Sequence, residues 1–92
     1  MIKSFKDKEA EKLFERKHSR SPEDVQRVAR RKLEQLNAAK ILAELGVFSG
    51  NNPEPLKGKR KGQHSIRIND QWRICFAWKD GDAYDVEICD YH

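Results

Sequence analysis

Three runs of alternating apolar and polar residues follow one another in residues 64–89, HSIRINDQWRICFAWKDGDAYDVEIC. Alternation with a period of two is typical of strands that bury one face of a sheet. We therefore expect strands at His64–Ile68, Trp72–Trp78 and Tyr84–Cys89. Asn-Asp and Asp-Gly pairs separate the runs and favour tight turns. The C-terminal part of the chain is predicted to form a three-stranded, mainly antiparallel sheet.

The pairing of the last two strands follows from the need to keep apolar residues on one face. A two-residue turn at Asp80-Gly81 would pair Lys79 with Asp82 and set core residues opposite carboxylates. We expect instead a three-residue turn, Lys79 to Gly81, with Gly81 in a bulge. The expected neighbours are then Phe76 with Tyr84, Ile74 with Val86, Trp72 with Ile88, Ile66 with Ile74, and Ile68 with Trp72. The sheet thus has one apolar face, which is expected to receive the helices.

The opposite face of this sheet collects small and polar side chains. By alternation it carries Ser65, Arg67, Arg73, Cys75, Ala77, Asp85, Glu87, Cys89 and Tyr91. Small residues in the middle with charges around them predict a shallow open surface instead of a second core. The expected register sets Arg73 beside Glu87, so the face is either a solvated surface with a cross-strand ion pair or a functional site.

The first twenty residues predict a short strand and a short helix. Ile2 to Phe5 alternates like a strand, and Asp7 to Lys17 carries apolar residues at helical spacing. Residues 16–20 hold four basic side chains and no aliphatic anchor, which predicts a mobile connection.

A second helix has a clear start signal. Ser21 is expected as N-cap and Pro22 as the first helical residue, because together they supply a capping oxygen and a preset φ. The apolar stripe that follows extends to Gly46, a candidate helix terminus, with Asn37 as a candidate break. Residues 46–62 are rich in Gly, Pro, Asn and Lys and are predicted to form a long loop.

Composition limits the classes of protein to which this chain can belong. Its 92 residues are 37% apolar and 37% charged, so we expect one domain over residues 1–92. Neither an apolar run of membrane-spanning length nor a signal-peptide segment is present, which predicts a cytoplasmic protein. Cys75 and Cys89 match no zinc or redox spacing and are expected to be reduced packing residues.

Positive charge is concentrated in two clusters. The net charge is +4, and such a protein favours polyanions. One cluster holds Lys57, Lys59, Arg60 and Lys61, and the other holds Arg27, Arg30, Arg31 and Lys32. Either cluster is a contact surface for a polyanion or an ordinary solvated face.

Four segments of the chain resemble the HigB toxins of the RelE/ParE superfamily: MIKSF (1–5), LKG (56–58), SIRINDQWRI (65–74) and DYH (90–92). The resemblance implies a RelE-like β-α-α-β-β-β domain of the α+β class, with an open active face. It implies a toxin of a type II toxin–antitoxin system that cuts messenger RNA in the decoding A site of the 30S ribosomal subunit. The implied partner is a HigA-type helix-turn-helix antitoxin, and the free toxin is expected to be a monomer without metal or cofactor.

The resemblance also implies roles for individual residues. Metal-free RNA cleavage needs a base for the 2′-hydroxyl, an acid for the leaving 5′-oxygen and cations for the phosphate. Arg73 and Lys57 are the expected cations, although Arg73 could serve only to pair with Glu87. His92 is the expected acid; without the resemblance it would be interpreted as a frayed, idle terminus.

Three further side chains complete the expected site. Asp90 is the candidate base or the group that orients His92, and otherwise an exposed carboxylate at a strand end. Tyr91 is expected to stack on a base or to donate to the phosphate, and otherwise to cover a sheet edge. Glu54 stands where typical HigB toxins have a histidine, so the general base is either Glu54 or Asp90.

The remaining predictions concern RNA contacts and competing functions. Expected phosphate contacts are Lys59, Arg60, Lys61, Arg67, Arg27 and Arg31. His64 is expected to be structural on the helix-covered face, and nothing indicates a role for His18. The competing functions are a gyrase poison acting by protein contact and an RNA-binding module that interferes with ribosome assembly without cleaving mRNA.

Overall fold

The computed structural model describes residues 1–90 and has the expected α+β architecture. Two helices, α1 (Lys8–Phe14) and α2 (Glu23–Ala38), precede a four-stranded antiparallel sheet. Its strands, in both spatial and chain order, are β1 (Glu54–Pro55), β2 (Gln63–Arg67), β3 (Trp72–Lys79) and β4 (Asp82–Asp90). Short 3-10 helices occupy Leu42–Val47 and Gly58–Arg60. Within residues 1–90, no helix is long and apolar enough to cross a membrane.

The core lies between α2 and one face of the sheet, as the alternation predicts. From α2 the buried apolar residues are Val25, Ala29, Leu33 and Leu36. From the sheet they are Ile66, Ile74, Phe76, Ala83 and Val86. His64 lies on this face as expected, with its ring stacked on Phe76 at a centroid distance of 6.1 Å.

The N-terminal segment pairs with the outer edge of β4. Ile2 and Phe5 form isolated parallel bridges to Ala83 and Val86, so the predicted first strand is only an extended segment. Asp7 then caps α1 through Oδ1, which accepts from the Ala10 N–H at 2.6 Å. Helix α1 ends at Phe14, three residues before the predicted end at Lys17.

The connection between the helices is anchored, and the expectation of a loose segment is wrong. Ser19 is buried and its hydroxyl donates to Glu9. The Arg30 side chain donates to the carbonyls of Leu13 and Lys17 at 3.2 Å each. These polar contacts replace the aliphatic anchor that the sequence lacks.

The start of α2 lies one residue later than predicted. Pro22 is the N-cap and no side chain caps the helix, so the predicted capping role of Ser21 is wrong. The Ser21 carbonyl instead accepts from the Gln26 side chain at 2.5 Å. The chain leaves the helix after Ala38, which confirms the break near Asn37.

The segment after α2 contains more regular structure than the predicted loop over residues 46–62. Gly46 lies inside a 3-10 helix and does not terminate α2, which ends at Ala38. Strand β1 pairs with β2, with Glu54 opposite Ser65 and Pro55 opposite His64. A two-residue strand is hard to detect from sequence because its pairing partner, not its own composition, defines it.

The turn between β3 and β4 has two residues, so the predicted three-residue turn is wrong. Lys79 pairs with Asp82, and the two turn residues, Asp80 and Gly81, have φ of 53° and 82°. This is the type I′ geometry that Asp-Gly favours. Ala77 therefore pairs with Tyr84, and Tyr84 lies on the face away from the helices, not beside Phe76.

A bulge in β4 restores the apolar face that this turn would otherwise lose. The register shifts between Cys75 and Ala77, where Asp85 has a φ of 52°. The extra residue in β4 sets Ile74 opposite Ile88, not Val86. In the other hairpin Ile66 pairs with Ile74, as predicted.

Candidate active site

Arg73 lies near the start of β3 on the face of the sheet away from the helices, which we call the second face. Its Nε donates to the Ser65 hydroxyl at 2.8 Å, and its Nη2 donates to the Asn52 carbonyl at 2.5 Å. Arg73 lies opposite Cys89, so the predicted pair with Glu87 is wrong. The physical reason is the two-residue turn together with the bulge in β4, which moves Glu87 opposite Cys75.

The middle of the second face is covered, and the expectation of an open surface there is wrong. Arg73 is only 5% exposed, and Ser65 and Cys75 are also buried. Arg60 extends over this face from the Gly58–Arg60 helix: its Nη1 lies 3.4 Å from Glu87 Oε2 and 3.6 Å from Cys89 Sγ. The segment over residues 46–62, predicted to be a loop, thus supplies the side chain that covers this face.

Glu87 holds two cations on the second face. Its carboxylate lies 3.3 Å from Lys6 Nζ and 3.4 Å from Arg60 Nη1. Burial alone raises the pKa of Glu87, but the Lys6 hydrogen bond and the Arg60 charge outweigh it, and the net pKa is lowered. Glu87 therefore remains ionised and anchors Arg60.

Cys75 and Cys89 are free thiols that lie side by side next to Arg60. A hydrogen bond between them lowers the pKa of Cys75 and raises that of Cys89. Within residues 1–90, no cluster of three or more His, Cys, Asp or Glu side chains could hold a metal ion.

Glu54 and Lys57 lie at the edge of the second face. Glu54 is opposite Ser65, which in turn is opposite Cys75, so register places Glu54 on the same side of the sheet as Arg73. Both Glu54 and Lys57 are exposed, and they line a hollow of about 520 Å³. The structure thus brings Glu54 and Lys57 together at the β1 edge of the sheet, close in sequence to Asn52, whose carbonyl binds Arg73.

The C-terminal residues of the expected site are only partly described. Asp90 is opposite Trp72, so alternation directs it toward the helix side, whereas Cys89 faces the side of Arg73. Gln71 Nε2 donates to Asp90 Oδ2 at 3.4 Å. The predictions for Tyr91 and His92 lie outside the described residues.

The basic residues do not form two uniform surfaces. Lys59 and Lys61 are exposed beside the second face, whereas Arg60 is engaged with Glu87. Arg67 donates to Asp70 and is partly exposed. Arg27 and Arg31 are exposed on α2, on the other side of the sheet, around a hollow of about 350 Å³.

Lys32, which the sequence places in a basic cluster, is instead buried. It is 4% exposed, and its Nζ donates to the carbonyls of Gly50 and Arg67. Burial lowers the pKa of Lys32, and the nearby arginines, including Arg73, lower it further. A signal was present in the sequence, because Lys32 lies three residues after Ala29 and four before Leu36, on the apolar stripe of α2.

Sequence comparison identifies relatives along almost the whole chain. The model of the HigB-like toxins, described as RelE-like toxins of the type II toxin–antitoxin system HigB, matches residues 3–92. Toxin HigB-1 of Vibrio cholerae is 41% identical over 90 residues, covering 96% of this chain and 95% of the relative. Endoribonuclease HigB of Proteus vulgaris is 38% identical over 96 residues, covering 100% of both chains.

Solved structures with the same fold include a YoeB-YefM toxin–antitoxin complex. The YoeB-YefM complex from Staphylococcus aureus matches with a TM-score of 0.62 at 19% identity, covering 100% of this chain and 98% of that one. YafQ from E. coli matches with a TM-score of 0.56 at 15% identity, covering 98% of this chain and 93% of that one. At such low identity these structures support the fold alone. From the family match and its two relatives, the chain belongs to the HigB-like family of RelE-like toxins of type II toxin–antitoxin systems.

Proposed function

We propose that this toxin is a ribosome-dependent endoribonuclease that cuts messenger RNA in the decoding A site of the 30S subunit. The family and the relative named Endoribonuclease HigB support the activity. The observation that carries the proposal is the fixed guanidinium of Arg73, held from two sides by Ser65 and Asn52. A cation whose direction is set before the substrate arrives stabilises developing phosphate charge without reorganisation.

In the proposed reaction, the 2′-hydroxyl of the message attacks the adjacent phosphorus and the 5′-oxygen leaves. A base takes the hydroxyl proton, an acid protonates the leaving oxygen, and the products are a cyclic phosphate and a 5′-hydroxyl. Arg73 binds the phosphate oxygens, and Lys57 supplies the second positive charge. Arg73 is 5% exposed in the free protein, so only a small part of its surface is available to the phosphate before binding.

The proton transfers are assigned to carboxylates and to the C-terminal residues. Glu54 shares the side of Arg73 and is exposed to a substrate, which supports it as the base. Asp90 is directed to the other side by register, which favours the role of orienting His92 over that of the base. His92 as acid and Tyr91 as the stacking or donating group remain proposals from the resemblance.

The exposed cations are proposed to contact RNA while the ribosome holds the message. Lys59 and Lys61 lie beside the site, where they can bind the phosphates of the message. Arg60 and Arg67 adjoin it, and Arg27 and Arg31 present charge on the opposite side of the sheet. Charge on both sides suits a protein that RNA surrounds, and such contacts weaken with salt.

We further propose that a HigA-type helix-turn-helix antitoxin binds this toxin, which is a monomer when free. The support is the family, together with a structural neighbour, YoeB, that was solved in a complex with YefM. A pull-down with the antitoxin encoded beside the toxin gene, followed by mass measurement of the complex, tests the partner and its stoichiometry.

Primer extension on cellular mRNA after induction tests the cleavage proposal. Discrete cuts confined to translated frames are expected for the parent and absent for Arg73→Ala at equal expression. Growth arrest without any cuts would overturn the proposal in favour of a gyrase poison or interference with ribosome assembly. Efficient cutting of naked RNA would instead overturn ribosome dependence.

A further inference from the structure

The segment that holds Arg73 is itself held by α2. Asn52, whose carbonyl accepts from Arg73 at 2.5 Å, follows Asn51, whose carbonyl accepts from the Arg67 N–H at 2.7 Å. Asn51 is fully buried, and its side-chain amide donates to Gln35 at 3.1 Å and to the Leu45 carbonyl at 3.0 Å. Directional bonds thus connect the helix to the carbonyl that orients the arginine.

Lys32 makes the second connection between α2 and this segment. Its Nζ donates to the Gly50 carbonyl at 3.3 Å and also to the Arg67 carbonyl. Gly50 has a φ of 85° and Asn52 a φ of 40°, so the backbone turns sharply on both sides of Asn51. Positive φ is unfavourable for most residues and persists where the surroundings hold it.

The position of Lys32 is costly for a residue with no role beyond packing. It is 4% exposed, and within residues 1–90 no carboxylate forms an ion pair with it. A buried ammonium without a counterion is destabilising, and an apolar residue of similar length would avoid that cost. The methionine side chain has this length, yet the chain has a lysine that reaches two backbone carbonyls.

We propose that Lys32 is a positioning residue for Arg73, acting through the Gly50–Asn52 segment. It fastens this segment to the end of β2, and the segment presents the Asn52 carbonyl that fixes the guanidinium. Asn51 and Gln35 complete the same support from α2. The inference rests on the proposed function, because it assigns Arg73 to the phosphate of the cleaved RNA.

Lys32→Met and Gln35→Leu separate positioning from simple charge. Lys32→Met removes both the bonds and a positive charge near Arg73, whereas Gln35→Leu loosens Asn51 and leaves the charge in place. Each variant is expected to lower the single-turnover rate at saturating ribosomes by roughly 10- to 100-fold, the scale of a small misplacement of a catalytic group. Affinity for the ribosome should change less than about twofold in both, because Lys32 is buried, Gln35 is only partly exposed and neither is a proposed RNA contact.

NMR spectra of the free protein report on the Arg73 side chain in the absence of any substrate. In the parent, the bond to Asn52 slows rotation of the Arg73 Nη2 group, which should give resolved side-chain N–H resonances. Both variants are expected to broaden these resonances and to shift the carbonyl resonance of Asn52. Lys12→Met, an exposed lysine on α1, is the control and should keep the parental spectrum and rate.

Several outcomes would overturn the proposal. Parental Arg73 resonances in both variants would show that the segment does not hold the arginine, and a parental rate with broadened resonances would show that its position is unimportant. A rate loss in Lys32→Met alone, with Gln35→Leu at the parental rate, would show that Lys32 acts through its positive charge and not by positioning the Gly50–Asn52 segment. If the parent itself cuts no message, the proposed function fails, and the resonances alone then decide whether Lys32 positions Arg73. If Lys32→Met does not fold, Gln35→Leu decides with the same two measurements.

Discussion

The two faces of the sheet are held by different kinds of interaction. On the helix-covered face, aliphatic and aromatic side chains such as Leu33, Ile74 and Phe76 pack without directional bonds. On the second face, Arg73 and Glu87 are fixed by hydrogen bonds and ion pairs to residues far away in the sequence. Apolar packing supplies stability and tolerates small shifts, whereas catalysis depends on direction. Substitutions on the two faces should therefore separate stability from activity.

The largest effect is expected for Arg73→Ala on the second face. Loss of a preorganised donor to the phosphate should lower the single-turnover cleavage rate by roughly 10²- to 10³-fold. Arg73→Lys should restore only part of the rate, because an ammonium lacks the planar fork. The buried Ser65 hydroxyl loses its donor, so unfolding should become easier by about 1–3 kcal/mol.

Arg16→Ala serves as the control for these two variants. Arg16 is an exposed arginine that is ion-paired with Glu34 on the helical side of the molecule. It should keep the parental rate. Parental cutting by Arg73→Ala would show that the second face is not the active site.

Leu33→Ala on the apolar face is expected to lower stability while leaving the cleavage rate nearly unchanged. Leu33 is fully buried against the sheet, so its truncation should cost about 2–5 kcal/mol of unfolding free energy. The cleavage rate per folded molecule should stay within about twofold of the parent, because the second face is held by other bonds. Urea unfolding and active-site titration measure the two quantities, and a large loss of rate in the folded fraction would contradict the separation of the two faces.

A smaller, pH-dependent effect is expected for Glu87→Gln. The pKa of Glu87 is lowered in the folded state, so its ion pairs stabilise the parent above the unfolded pKa. This contribution, about 1 kcal/mol for such a partly exposed pair, should disappear as the pH falls through the folded pKa. Parent and variant should differ in unfolding free energy at pH 7 and converge once the pH is below the folded pKa of Glu87.

Glu34→Gln is the matched control for this comparison. Its ion pair with Arg16 is exposed on both sides, so its removal should change stability by less than about 0.5 kcal/mol. An equal effect of the two substitutions would mean that Glu87 is no better anchored than a surface carboxylate.

The smallest effect is expected in the unfolding free energy of the protein at alkaline pH, through deprotonation of Lys32. Because burial lowers its pKa in the folded protein, the unfolded chain binds the proton more tightly. Between the folded pKa and the ordinary value of 10.5, unfolding takes up a proton, so stability rises with pH in that window. Lys32→Met should lose this rise in urea unfolding measured from pH 8 upward, and an unchanged slope would show that the ammonium is well solvated.

The sequence by itself determined the two α-helices, the last three strands and the apolar face of this protein. Alternation over residues 64–89 and the stripe of α2 indicate which side chains share a core, because these periodicities are local properties of the chain. Alternation also placed Arg73 on the second face, where the structure has it, and the resemblance identified the family. These results need no knowledge of which distant residues meet.

The tertiary structure alone decided the register of β3 and β4 and the surroundings of Arg73. The left-handed residue Asp85 gives no distinct sequence signal, so the bulge could not be separated from a longer turn. Burial of Arg73 and Lys32 likewise depends on segments 18 to 35 residues away that supply carbonyl oxygens. From sequence alone, a charged residue is expected to be exposed, because the desolvation cost of burying it is a property of that residue. The hydrogen bonds that offset this cost come from residues that are distant in the sequence.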